Sequence, residues 1–159
     1  ALLKHIPGDL PVHIEPGRSI AANAGLFITQ VLFLKPTEHK NFAIVDGAMN
    51  DRIRPSLYSA WQNIVPVKPH DADCRDWDIV GPVCESGDTF AKQRMMPPLG
   101  TGDLVAFRSA GAYGAVMSSE YNSRPLIPEV LVNEDQFAVI RTRPSFEEMI
   151  NRDTLPSWL

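Results

Sequence analysis

The sequence predicts a mainly β domain, either closed into a barrel or folded as a Greek-key sandwich. Its 14 prolines and 10 glycines are scattered along the chain, which keeps regular segments short and works against a helical bundle. Between them, β-branched and aromatic residues gather into about seven or eight short runs bounded by turn residues, a number suited to a closed or sandwiched sheet. With 159 residues, 44% hydrophobic and 21% charged, the chain can bury one sizeable core, and it contains no repeat or low-complexity tract.

In chain order, Val12-His13-Ile14-Glu15 alternates and predicts a short strand, followed by a turn at Pro16-Gly17-Arg18-Ser19. Ser19 is placed to cap a short helix through Ala21, Ala22 and Ala24. A helix start after a glycine leaves backbone N–H groups free for a phosphate or carboxylate, with Arg18 adding a charge. The same tetrapeptide also reads as an ordinary tight turn. Leu26 to Leu34 predicts a long strand ending at Lys35-Pro36, Thr37 to Lys40 its connection, and Asn41 to Asp46 the next strand.

The segment from Ala48 to Tyr58 is too polar for a buried strand, and Pro55 suits the opening of a helical turn that places Arg54 and Tyr58 on one face. Ile64 to Val67, Trp77 to Val80 and Leu104 to Arg108 read as further strands, the last preceded by a Gly100-Thr101-Gly102-Asp103 turn that Met95 to Pro98 approaches. Ser109-Ala110-Gly111-Ala112-Tyr113-Gly114 is too small in side chain for core filler and suits close approach of backbone to a ligand. Ile127 to Val132 and Gln136 to Arg141 form a hairpin around Asn133-Glu134-Asp135, and Pro144 to Ile150 a helical turn.

A net charge of −4 and a pI near 5.5, with no run of Lys or Arg, argue against nucleic acid and anionic membranes as partners. The most apolar run, Ala24 to Leu34, is short and broken by Thr29 and Gln30, so it does not span a bilayer, and the N-terminus lacks signal-peptide anatomy. A cytoplasmic protein is expected. Cys74 and Cys84 lie in no metal-like pair, so two reduced thiols and no metal site are expected. Because the chain begins with Ala on what reads as the middle of a structural unit, a fragment is expected.

Chemistry concentrates in Gly81-Pro82-Val83-Cys84-Glu85-Ser86-Gly87-Asp88, where a thiol, two carboxylates and a hydroxyl share one loop after a strand. A buried, inert cysteine beside a solvated acidic turn is the plain alternative. Taken in order, Glu15-Pro16-Gly17-Arg18, Arg54-Pro55-x-Leu57-Tyr58, Cys84-Glu85-Ser86-Gly87-Asp88 and Ser109-Ala110-Gly111-Ala112-Tyr113 resemble the C-terminal part of the diaminopimelate decarboxylases. His39-Lys40-Asn41-Phe42 and Met117-Ser118-Ser119-x-Tyr121-Asn122 extend that resemblance along essentially the whole chain.

The resemblance implies a pyridoxal 5'-phosphate enzyme of the alanine-racemase-like fold type III, with a TIM barrel and a C-terminal β-barrel. Residues 1–25 would end the TIM barrel as its last βα unit, and residues 26–159 would form the β-barrel domain. None of the five lysines matches the family's cofactor-lysine motif, so this chain alone is expected to be inactive. By the resemblance, Glu15, Pro16, Gly17, Arg18 and Tyr113 would contact the cofactor. Arg18, Arg54, Tyr58, Glu85 and Tyr113 would bind meso-diaminopimelate, Arg18 and Arg54 suiting a carboxylate and Glu85 the distal ammonium. Cys84 would supply the proton that replaces carbon dioxide on the α-carbon.

The family places the cysteine loop in the neighbouring subunit's active site, which implies a homodimer. Related decarboxylases acting on ornithine, arginine or carboxynorspermidine share the fold and the thiol loop, and a non-catalytic binding homologue is the reading from another class. The charge inventory favours the substrate with a distal ammonium and a distal carboxylate. Cys74, His5, His13 and His70 match no motif and are read as structural, as is His39, which lies in the matched segment 39–42 but has no role named for it there.

Overall fold

A computed structural model describes residues 2–8 and 10–158. Six strands form one curled sheet: β1 (Phe27–Pro36), β2 (Asn41–Val45), β3 (Ile64–Pro66), β4 (Arg75–Val80), β5 (Thr89–Met96) and β6 (Leu104–Phe107), in the order β3-β6-β1-β2-β4-β5. All pairings are antiparallel except β2 with β4, where Phe42 faces Asp78 and Ile44 faces Val80. A one-turn helix, α1 (Arg54–Tyr58), lies between β2 and β3; a separate hairpin follows the sheet, β7 (Glu129–Asn133) and β8 (Gln136–Arg141), and then a second one-turn helix, α2 (Phe146–Ile150). Ser145 and Glu148 form a reciprocal capping box at the start of α2.

Curling brings the two ends of the sheet together. Phe90 on β5 lies edge-on to Phe107 on β6, with ring centroids 4.8 Å apart, although β5 ends the strand order and β6 stands next to its other end. Phe27 on β1 completes an aromatic trio with them, and Val31, Ala43, Val45, Ile64, Ile79 and Val105 fill the buried interior. Across the remaining seam, the Arg94 guanidinium of β5 donates to the carbonyl of Gln62, at 2.6 Å, just before β3. The same group stacks on the Trp61 ring, 4.6 Å from its centroid. A side chain thus bridges where no ladder does.

The mainly β, barrel-like expectation is borne out, and the strands predicted from Leu26 onward and the hairpin are present. Two local expectations fail. Val12 to Glu15 forms no strand, because its alternation meets no neighbouring ladder, and these residues are exposed. Ser19 caps no α-helix: its hydroxyl turns back to donate to the Pro16 carbonyl at 2.7 Å, and only a 3-10 turn at Ala22–Ala24 follows.

Strand β5 lies where the sequence suggested only an approach to a turn. Its polar Lys92-Gln93-Arg94 run breaks the alternation around Gln93, which takes φ 48° and donates its N–H to the Asp78 carboxylate at 2.7 Å. Both cysteines are free and exposed, as expected for reduced thiols. Among the described residues, no helix is long and apolar enough to cross a membrane.

Phe107→Ala empties the centre of the aromatic trio and is expected to destabilise the fold by about 3–5 kcal/mol. Chemical denaturation followed by tryptophan fluorescence checks this; a loss below 1 kcal/mol would show that the trio does not organise the core.

Candidate active site

The site is built from three connections of the barrel. The first is the segment between β2 and β3, where Pro55 opens the helix α1 (Arg54–Tyr58) and Ser59 ends it in a left-handed conformation at φ 51°. One helical turn sets Arg54 against Tyr58, with 5.1 Å from the guanidinium carbon to the ring centroid, as the four-residue spacing predicts. Tyr113 approaches from the second connection, after β6, at 5.5 Å on the same guanidinium. Arg54 Nε is buried there without a hydrogen-bond partner among the described residues, so the group lies between two phenols with donor capacity left over.

Arg52 explains how that second connection is held. Its side chain is only 1% exposed; Nε donates to Gln62 Oε1 at 2.9 Å, one terminal nitrogen to the Tyr113 carbonyl at 2.9 Å, and the other to the Ser109 carbonyl at 3.3 Å. Gly114 lies so close that a Cβ there would sit 3.1 Å from this guanidinium. Burial first, and then the charges of Arg54 and Arg18, push the Arg52 pKa down to about 10. Arg18, Arg52 and Arg54 therefore share one positive neighbourhood.

The turn bearing Arg18 is docked onto the same connection. Gly111 donates to the Ala22 carbonyl at 3.0 Å, Ala110 to that of Gly25 at 2.9 Å, and the Ser109 hydroxyl to Asn23 Oδ1 at 2.7 Å. A Cβ on Gly111 would lie 2.1 Å from the Ala21 oxygen, so this glycine is needed for chain-to-chain approach. That is a different use of the small residues from the ligand approach the sequence suggested. Arg18 itself is exposed, as are Glu15, Pro16 and Gly17, and Gly17 takes φ 60° with open space around its Cβ position.

The third connection is the 81–88 loop between β4 and β5. Cys84 and Glu85 are exposed on it, which disposes of the buried-cysteine alternative. Asp88 is only 3% exposed, unlike the solvated turn residue suggested by the sequence. Its carboxylate accepts from Val83 N–H and Met49 N–H, each at 2.7 Å, tying the loop to the segment before α1. Burial raises its pKa above the ordinary aspartate value, opposed by those two backbone donors. A second tie runs from the Ser56 hydroxyl of α1 to the Gly87 carbonyl, at 2.5 Å.

Tyr121 donates its hydroxyl to Glu85 Oε2 at 3.4 Å. Among the described residues, no hydrogen bond or ion pair joins Cys84 or Glu85 to Arg18, Arg54, Tyr58 or Tyr113, so two clusters stand on one domain. Sequence reasoning assigned no role to Arg52, Asp88 or Tyr121. Asp88 and Tyr121 stand within the matched motifs and Arg52 two residues before one, but the partners that define their parts lie 36 or more residues away: Met49 for Asp88, Glu85 for Tyr121, and the carbonyls of Ser109 and Tyr113 for Arg52.

Asp88→Asn leaves one oxygen to accept where two were used, and turns an amide N–H toward a second donor. It is expected to cost about 1–3 kcal/mol at neutral pH, read by chemical denaturation; unchanged stability would show that Asp88 does not hold the loop.

Residues 19–111 match the family model of the pyridoxal-dependent decarboxylase C-terminal sheet domain. The diaminopimelate decarboxylase of Pseudomonas aeruginosa is 54% identical over 147 residues, covering 92% of this chain and 35% of the relative's own length. Among solved structures, diaminopimelate decarboxylase from Helicobacter pylori complexed with L-lysine superposes with a TM-score of 0.80 at 48% identity, covering 87% of this chain and 34% of that one. That of M. jannaschii, also with L-lysine, gives a TM-score of 0.86 at 34% identity, covering 91% and 33%. The chain spans about a third of the length of the curated relatives it matches. By the match over most of its sheet, this chain belongs to the pyridoxal-dependent decarboxylases and carries their C-terminal sheet domain.

Proposed function

We propose that this chain is the C-terminal portion of a diaminopimelate decarboxylase, which converts meso-2,6-diaminopimelate to L-lysine and carbon dioxide. The observation that carries the proposal is Arg54, its guanidinium lying against Tyr58 and Tyr113 with a buried Nε that no group among the described residues satisfies. Such an orphan donor in a positive neighbourhood calls for an anion. Both the substrate carboxylates and pyridoxal 5'-phosphate are anionic, so the residues fit the cofactor that the family name implies.

Glu15, Pro16, Gly17, Arg18 and Tyr113 would hold the cofactor, the open turn at Gly17 leaving room for its phosphate. When bound, the cofactor supplies the electron sink that makes loss of the α-carboxylate feasible. Arg18 and Arg54 grip the distal carboxylate by charge-assisted hydrogen bonds, framed by Tyr58 and Tyr113. Glu85 pairs with the distal ammonium, and Cys84, an exposed thiol, delivers a proton to the α-carbon once the carboxylate has left.

We read Cys84 and Glu85, which among the described residues share no hydrogen bond with the Arg54 group, as serving the neighbouring subunit's site in a homodimer. Exposed apolar side chains on β7, β8 and α2, among them Val132, Phe137, Ile140 and Phe146, support a further body of protein covering this end. In this reading residues 1–25 finish a TIM barrel, residues 26–159 form the β-barrel domain, and the enzyme is cytoplasmic.

In the full-length enzyme, Arg54→Met deletes the charge while keeping much of the side-chain length, and is expected to cost about 2–5 kcal/mol in transition-state binding if the carboxylate pair is buried. The measurement is the ratio of kcat/KM on meso-diaminopimelate to that on ornithine, which should collapse in the variant. A wild-type preference for ornithine, or a ratio blind to Arg54, would overturn the substrate assignment.

Cys84→Ala should lower kcat by about 100- to 10,000-fold with little change in substrate affinity. Mixing that variant with one lacking the cofactor lysine should restore part of the activity, because one composite site then regains both groups. No recovery despite demonstrated subunit exchange would contradict the shared site.

A further inference from the structure

Among the described residues, Arg52 is a buried cation without a paired anion. All its recorded hydrogen-bond partners are neutral, namely Gln62 Oε1 and the carbonyls of Ser109, Ala112 and Tyr113, and among the described residues no carboxylate forms an ion pair with it. Neutral oxygens satisfy its N–H groups but leave its charge uncancelled. A group held so far from water keeps a field that solvent screens poorly. That field emerges where Tyr113, whose carbonyl binds Arg52, presents its ring to Arg54.

We infer that Arg52 is a positioning residue for the distal carboxylate of the substrate: it fixes the Tyr113 connection and, through a charge deliberately paired only with neutral acceptors, adds attraction for that anion behind Arg54. The inference rests on the reading of Arg54 and Arg18 as the carboxylate grip. It assigns Gln62 a part as well. A glutamate at this buried position, 3% exposed, would accept the same Nε hydrogen bond at 2.9 Å while neutralising the charge, so an amide there preserves the field.

The substitution Gln62→Glu separates field from scaffold, because it keeps the acceptor and nearly the same shape. L-Lysine and cadaverine are the probes, since they differ by one carboxylate, and their equilibrium binding to the full-length holoenzyme is measured by calorimetry. In Gln62→Glu the affinity for L-lysine should fall by about three- to ten-fold, the scale of one partly screened charge interaction, while that for cadaverine does not fall. Arg52→Leu should move the lysine-to-cadaverine ratio in the same direction and covers the case in which Gln62→Glu fails to fold. Gln62→Met removes the acceptor and keeps the charge, so it should lower stability and leave the ratio in place.

Equal weakening of both ligands, or no change in either, would overturn the inference. A ratio that moves as much in Gln62→Met as in Gln62→Glu would overturn it too, since a merely structural role predicts that result. Arg54→Met, measured alongside, distinguishes the two levels. If it lowers the ratio and Gln62→Glu does not, the carboxylate grip stands and the role of Arg52 falls. If Arg54→Met also leaves the ratio unchanged, the carboxylate is held elsewhere and both fall.

Discussion

One buried guanidinium, that of Arg52, connects the parts on which the candidate site depends. It reaches Gln62 at the entrance to β3 and the carbonyls of Ser109, Ala112 and Tyr113 beyond β6, two stretches that adjoin neighbouring strands but carry no ladder of their own. Removing a buried charge from water is costly, so such a group persists only where its surroundings supply geometry for each donor. Here the surroundings are backbone carbonyls, and each carbonyl so engaged loses freedom. Tyr113 consequently stays at φ 52° with its ring against Arg54.

Asp88 does the corresponding work on the opposite sign. Its carboxylate collects backbone N–H groups from the 81–88 loop and from Met49, as Arg52 collects carbonyls. Gly81 is part of the same arrangement, since a Cβ there would fall 2.3 Å from an Asp88 oxygen. The exposed Cys84 and Glu85 thus stand on a loop whose root, at Asp88, is buried and hydrogen-bonded. Arg124 extends the framework: it donates to Asn50 Oδ1 at 3.1 Å and to the Asp46 carbonyl at 2.6 Å, joining the chain beyond β6 to the segment that leads into α1.

The barrel is the platform for these connections. Its curl brings Phe90 against Phe107 and leaves a seam that Arg94 bridges, so α1, packed near β5, is held between the seam and the 81–88 loop. Rigid strands with functional side chains on the connections between them are an arrangement in which loops vary and the core does not. The apolar residues left in solvent on β7, β8 and α2 lie away from the aromatic core, in the part of the domain that contributes least to it.

Local chemistry determined much of this protein from sequence alone. Alternation and turn residues located most strands and the hairpin, Pro55 located α1, and the four-residue spacing put Arg54 beside Tyr58, because each depends on neighbours within a few residues. The Cys84 loop and the motifs of the family were legible for the same reason. Tertiary structure decided the rest. Val12 to Glu15 has the alternation of a strand and no neighbour to pair with, whereas β5 lacks the alternation and is held by β4 and by Asp78. Arg52 and Asp88 were unreadable because burial and partners as far as 61 and 39 residues away, not residue type, turn a charged side chain from a solvated group into a strut.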